Sequence, residues 1–168
     1  VLHVGGGYND KEKALELFIH NWAYISPAIQ QMIMLENDDT TFTVKDTLYL
    51  CEKLGIPMVF DYHHHLANHD EEEWMADWER IVATWAQSPL PIKMHISSPR
   101  SEKDFRAHAD TIDPHMFLRF LQQIKGTVPE IHCMIEAKQK DAALFQLAED
   151  LQGKDGLMWI DQSSFIIQ

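Results

Sequence analysis

Short apolar runs alternate with amphipathic stretches along the whole chain. Val1 to Val4 is the first run, closed by Gly5-Gly6-Gly7, and over residues 10–24 the positions Ala14, Leu15, Leu17, Phe18 and Trp22 recur at helical spacing. Met32-Ile33-Met34-Leu35 is the second run, followed by a helix over residues 44–53 that Gly55 terminates. Pro57-Met58-Val59-Phe60 is the third, followed after a histidine-rich loop by a helix over residues 70–85. Ile92-Lys93-Met94-His95-Ile96 is the fourth, and the helix after it, residues 114–124, has Asp113 as its cap and Pro114 at its first position. Ile131-His132-Cys133-Met134-Ile135 is the fifth, with a helix over residues 141–151 behind it. Five strand-then-helix units in succession predict an α/β fold of parallel strands joined by right-handed crossovers.

Such strands suit either an open doubly wound sheet or a (β/α)8 TIM barrel, and the polar positions choose between them. Glu36, Asp61, His95 and Glu136 each stand at or just beyond the C-terminal end of a different apolar run, and His3 stands near the end of the first. In a barrel these ends converge on one point, whereas an open sheet spreads them along an edge. Convergence is what a shared metal site needs. The chain also opens directly on an apolar run, with no polar leader. The expectation is a partial barrel holding the last five βα units, with residues 1–168 the C-terminal portion of one barrel domain and its N-terminal strands absent.

Composition narrows the partners. The 168 residues are 45% hydrophobic and 24% charged, as in an ordinary globular protein, and no apolar run reaches the length of a membrane span. Cys51 and Cys133 show no CxxC spacing, so a reducing cytoplasm is expected instead of a disulfide framework. The net charge of −12 argues against a simple electrostatic DNA binder. Ten histidines call for another explanation.

The candidate ligands are His3, Glu36, Asp61, His64, His95, His108 and Glu136. Mixed carboxylate and imidazole donors from separate strands suit Zn, Mn or Fe, and several carboxylates move the choice towards Mn or Mg. Seven donors exceed the needs of one ion, so a cluster of two or three is expected, able to bridge the attacking and leaving oxygens of a phosphodiester. A lone histidine such as His3 or His95 more often has a structural role. A carboxylate directly after a buried run must be paired or bound to a cation, and that recurs at Glu36, Asp61 and Glu136. His63-His64-His65 reads equally as a solvated loop; His64, three residues after Asp61, is the member chosen as ligand. His20, His69, His115 and His132 read as structural. Lys93 shares a face with His95, and three readings stand for it: a phosphate ligand, a carbamate bridging metals, or a salt bridge to Glu36 or Glu136. Gly5-Gly6-Gly7-Tyr8 lacks a nucleotide-binding fingerprint. Glu71-Glu72-Glu73 reads as a solvated turn, and Trp74, Trp78 and Trp85 as a packing face.

Several words resemble the UV damage endonuclease family: His3-Val4-Gly5-Gly6 with Asp10-Lys11, Leu35-Glu36-Asn37-Asp38-Asp39, Gly55 to Asp61 running into His63-His64-His65, Lys93 to Ser98, His108-Ala109-Asp110, and Met134 to Lys138. The resemblance covers nearly the whole chain. It implies a metal-dependent (β/α)8-barrel repair enzyme, related to endonuclease IV and xylose isomerase-like barrels, that nicks double-stranded DNA on the 5′ side of UV photoproducts. It further implies a trinuclear cluster, commonly manganese, at the C-terminal face. Glu36 and Asp61 would be its central ligands, His95 and Glu136 would complete one ion, His64 and His108 would serve another, and His3 a third. Only the resemblance secures His108, and it matches Lys93 to the family's active-site lysine. The family's chains begin well before His3, with three more units carrying two further histidine ligands and a damage-probing loop. The expectation is therefore an incomplete site of weak or no activity, and pairing with a second copy through the open edge. Two other readings stand beside the endonuclease: a divalent-metal sugar-phosphate isomerase or epimerase on the same barrel, and a non-catalytic truncated core.

Overall fold

A computed structural model describes residues 1–71 and 73–168. The order is β1 (Leu2–His3), α1 (Lys11–Trp22), α2 (Pro27–Gln30), β2 (Leu35–Glu36), α3 (Val44–Leu54), β3 (Met58–Asp61), α4 (Tyr62–Ala67), a 3-10 turn (Trp74–Ala76) and α5 (Trp78–Ala83). Then come β4 (Ile92–Ile96), β5 (Pro99–Ser101), β6 (Asp104–His108), α6 (Pro114–Ile124), β7 (Ile131–Ile135), α7 (Asp141–Leu151), β8 (Leu157–Trp159) and β9 (Phe165–Ile167). Strands β1, β2, β3, β4 and β7 form one parallel sheet in that order, and β5–β6 and β8–β9 are antiparallel hairpins. Sequential parallel neighbours with helices between them form the α/β pattern that the apolar runs predict.

The register assigns the two faces. Leu35 pairs with Met58, Phe60 with Met94, and Met94 with Cys133. These side chains, with Ile96, turn towards the helices and join the core with Trp74, Trp78, Phe117 and Phe120. On the opposite face His3 pairs with Glu36, Asp61 with His95, Lys93 with His132 and His95 with Met134. Every polar residue singled out at a strand end therefore belongs to the face away from the helices. Helix ends are set locally: Asp10 accepts from Lys13 N, Asp113 from His115 N, and Gly55 closes α3 at φ 67°. No helix among the described residues is long and apolar enough to cross a membrane.

The structure corrects the region after β3. The histidine-rich stretch is helix α4, because Asp61 ends β3 and accepts a hydrogen bond from His64 N at 2.7 Å, capping the next turn at once. The helix expected over residues 70–85 is instead the short turn at Trp74–Ala76 followed by α5. Trp74, Trp78 and Trp85 nevertheless form a buried packing face. In the acidic turn, Glu71 and Glu73 are exposed, and Glu72 lies outside the described residues. His108 ends β6, a strand whose exposed, polar residues leave no apolar run to read.

Candidate metal centre

Glu36 is the hub of the polar face. It lies at the end of β2 with only 4% exposure. Its Oε1 is 3.0 Å from His95 Nδ1 and 3.5 Å from His64 Nδ1, and its Oε2 is 3.9 Å from His3 Nε2. His95 Nδ1 also lies 3.1 Å from Glu136 Oε1. Two sets of donor atoms, His3–Glu36–His64 and Glu36–His95–Glu136, are each close enough to surround one cation, and Glu36 belongs to both. A carboxylate with an oxygen for each side is the donor type that bridges two ions.

Asp61 adds a third carboxylate. It is fully buried, its Oδ1 accepts from His64 N, and its Oδ2 lies 3.6 Å from His64 Nδ1. No hydrogen bond reaches Oδ2 among the described residues. A buried carboxylate oxygen without a partner is costly, and a cation beside it removes that cost. The donor set and this orphaned oxygen fit a divalent metal.

Asn37 holds these groups in place. Its side-chain Nδ2 donates to Asp61 O at 2.9 Å and its Oδ1 accepts from Asp61 N at 3.0 Å, so the amide continues the sheet pairing where β2 has ended. Its carbonyl oxygen is 3.0 Å from His64 Nδ1. A carbonyl can only accept, so Nδ1 carries the proton and Nε2 keeps its lone pair. Nothing in the sequence assigns Asn37 a role of its own, because complete burial of an amide is not visible in a polar stretch. The sequence does not single out His63 either. It is fully buried, one ring nitrogen bonding Ser97 Oγ and the other Phe105 O at 2.7 Å, and so fastens the β5–β6 hairpin to the end of β4.

Charge follows from this crowding. Burial pushes the Asp61 carboxyl up to about 7, against the pull of His64. For His95 burial is the largest single influence and acts downward, but hydrogen bonds and charge from Glu136 and Glu36 together outweigh it and raise the imidazole to about 10. The His95 hydrogen bond in turn holds Glu136 below the usual carboxylate range. Burial lowers both His63 and His108.

The structure thus brings His3, Glu36, Asp61, His64, His95 and Glu136 together. His108 stands beside them, its ring centroid 6.1 Å from that of His64, outside the two donor sets. Lys93 lies half-buried two residues before His95 and forms no ion pair with Glu36 or Glu136, which removes the salt-bridge reading. His20, His69, His115 and His132 lie outside both sets, His132 pairing with exposed Glu130 at 3.0 Å.

Comparison with known proteins supplies the family. A model of the UV-endonuclease UvdE family matches residues 1–165. A UV DNA damage endonuclease of Halalkalibacterium halodurans is 49% identical over 165 residues, covering 98% of this chain and 51% of the relative. One from Bacillus cereus strain B4264 is 47% identical over 156 residues, covering 93% and 49% respectively. The crystal structure of SacUVDE, a TIM-barrel-like fold, superposes with a TM-score of 0.77 at 30% identity, over 89% of this chain and 50% of that one. The chain spans about half the length of the curated relatives it matches. It belongs to the UV-endonuclease UvdE family.

Proposed function

We propose that this chain carries the metal-binding part of an endonuclease that nicks double-stranded DNA on the 5′ side of UV photoproducts. The observation that carries the reading is Glu36 shared between two donor sets, with the unpartnered Asp61 Oδ2 buried beside it. His3, Glu36, Asp61, His64, His95, His108 and Glu136 would hold a divalent cluster, with manganese suited by the mixed imidazole and carboxylate donors and zinc and magnesium as alternatives. When bound, such a cluster offsets phosphodiester charge and lowers the pKa of water enough to supply a nucleophile at neutral pH. The protein's part is orientation: Asn37 sets the tautomer of His64 and the position of Asp61, and the sheet register aligns Asp61 with His95. Lys93, half-buried on the same face with no ion pair among the described residues, would meet an anion.

The family barrel has eight βα units, and residues 1–168 would supply five of them, the rest coming from the other half of the relatives' length. Damage recognition would then depend on parts beyond this chain, and this chain alone would nick weakly. Its exposed first strand would favour pairing with another strand, including that of a second copy. The free thiols of Cys51 and Cys133 support a reducing, cytoplasmic setting.

The test is a strand-nicking assay on UV-irradiated and intact duplexes with Mn2+, comparing the chain with Glu36→Gln. Weak Mn2+-dependent nicking of duplex DNA, lost in Glu36→Gln, is the expected result. Equal activity in the variant would overturn the metal site, and nicking confined to the irradiated duplex would overturn the placing of damage recognition beyond this chain. An isomerase would leave both duplexes whole.

A further inference from the structure

The β5–β6 hairpin carries three cations, and their surroundings differ. Arg100 is neutralised, its Nη1 lying 2.7 Å from Asp104 Oδ2. Lys103 sits in the exposed turn between Ser101 and Asp104. Arg106 is also exposed, and it has no ion pair or hydrogen bond among the described residues. It stands two residues before His108 on β6, which puts both side chains on one face of that strand. Both line an open cleft of ≈ 290 Å³ together with His3 and His64. Among the described residues, the acids lining it are Asp38 and Asp39. Asp38 is already engaged, its Oδ1 accepting from the backbone of Thr40, Thr41 and Phe42.

An unpaired guanidinium therefore opens onto the same cleft as three imidazoles of the candidate metal centre. The hairpin that carries it is anchored: His63 ties Phe105, the residue before Arg106, to Ser97 at the end of β4. Ala109 N donates to Ser98 O at 2.8 Å, fixing the hairpin's exit. We propose that Arg106 is a phosphate clamp, its planar fork binding oxygens of a phosphate group that enters the cleft beside the metal centre. Guanidinium presents parallel N–H donors that match two phosphate oxygens at once, whereas an ammonium meets them as a point charge. The ligand class is a phosphate anion, free or within a nucleic-acid backbone; the nucleic-acid source rests on the endonuclease reading above.

The test titrates the 168-residue chain, in the presence of Mn2+, with inorganic phosphate by calorimetry and with a labelled UV-irradiated duplex by fluorescence anisotropy. Arg106→Ala, Arg106→Lys and, as control, Arg100→Ala are compared, with a Mn2+ titration and a thermal melt for each. Arg106→Ala is expected to weaken both phosphate and duplex binding by about 10-fold or more. Its Mn2+ affinity and melting temperature should stay unchanged, Arg106→Lys should recover part of the loss, and Arg100→Ala should bind phosphate as the parent does. Unchanged phosphate affinity in Arg106→Ala, or a parallel loss of Mn2+ affinity, would overturn the clamp. Phosphate binding that needs Arg106, without any preference for duplex, would keep the clamp and sink the endonuclease reading. Arg106-independent duplex nicking would do the reverse, and a parent chain that binds neither ligand overturns both.

Discussion

At the scale of single residues, the same alternation that buries one side chain presents the next. Phe60 and Asp61 are consecutive on β3, and each is essentially inaccessible, yet they face opposite ways. Phe60 enters an aromatic cluster, 4.8 Å from Trp74 and 6.1 Å from both Trp78 and Phe120 between ring centroids. Asp61 enters the polar face, where Asn37 grips its backbone. Phe60→Ala leaves a void among rings that are themselves held by neighbours, so a loss of about 3–5 kcal/mol is expected in chemical denaturation. A loss below ~1 kcal/mol would show that the cluster collapses around the gap. The carboxylate positions were legible because charge after an apolar run needs a partner. Asn37 and His63 were not, because an amide or imidazole in a polar word looks the same whether it is solvated or buried.

At the scale of elements, the β5–β6 hairpin is the part that apolar periodicity could not announce. It has only three residues in β5 and five in β6, most of them exposed, so no core-facing stripe marks it. Its position depends on a few polar bonds, chiefly those of His63 to Ser97 and Phe105. His63→Ala removes both and leaves their partners unsatisfied. A stability loss of about 1–3 kcal/mol is expected, with amide exchange accelerated over residues 99–108 well beyond that in β4. Uniform acceleration across the sheet would instead make His63 a general core residue. Helices α3 and α6 were readable to within a residue because caps and punctuation bound them: Gly55 in the left-handed region ends α3, and Asp113 with Pro114 starts α6. The stretch over residues 62–83 was not, since Asp61 acts at once as strand end and helix cap, a double duty that periodicity does not encode.

At the scale of the whole molecule, a chain of net charge −12 gathers Glu36, Asp61 and Glu136 at one end of its sheet. Divalent ions that bind the folded site, and not the open chain, must stabilise the fold by mass action. Mn2+ at a hundredfold excess over its dissociation constant is expected to add ~2.7 kcal/mol, a rise of about 5–10 °C in melting temperature. A chelator should reverse it, and Glu36→Gln should abolish it. A melt indifferent to Mn2+, Zn2+ and Mg2+ alike would remove the metal centre from the account. By itself the sequence determined the alternation of strands and helices, the inward and outward faces, and the residue types at the strand ends, since these follow from local periodicity and from the cost of burying charge. Only the tertiary structure decided that Glu36 stands between two donor sets, that Asn37 governs Asp61 and His64, and that Arg106 opens onto the same cleft as His3 and His64. Those relations join residues tens of positions apart, and their distances depend on sheet register and on where a hairpin is fastened, neither of which is a property of any local stretch of chain.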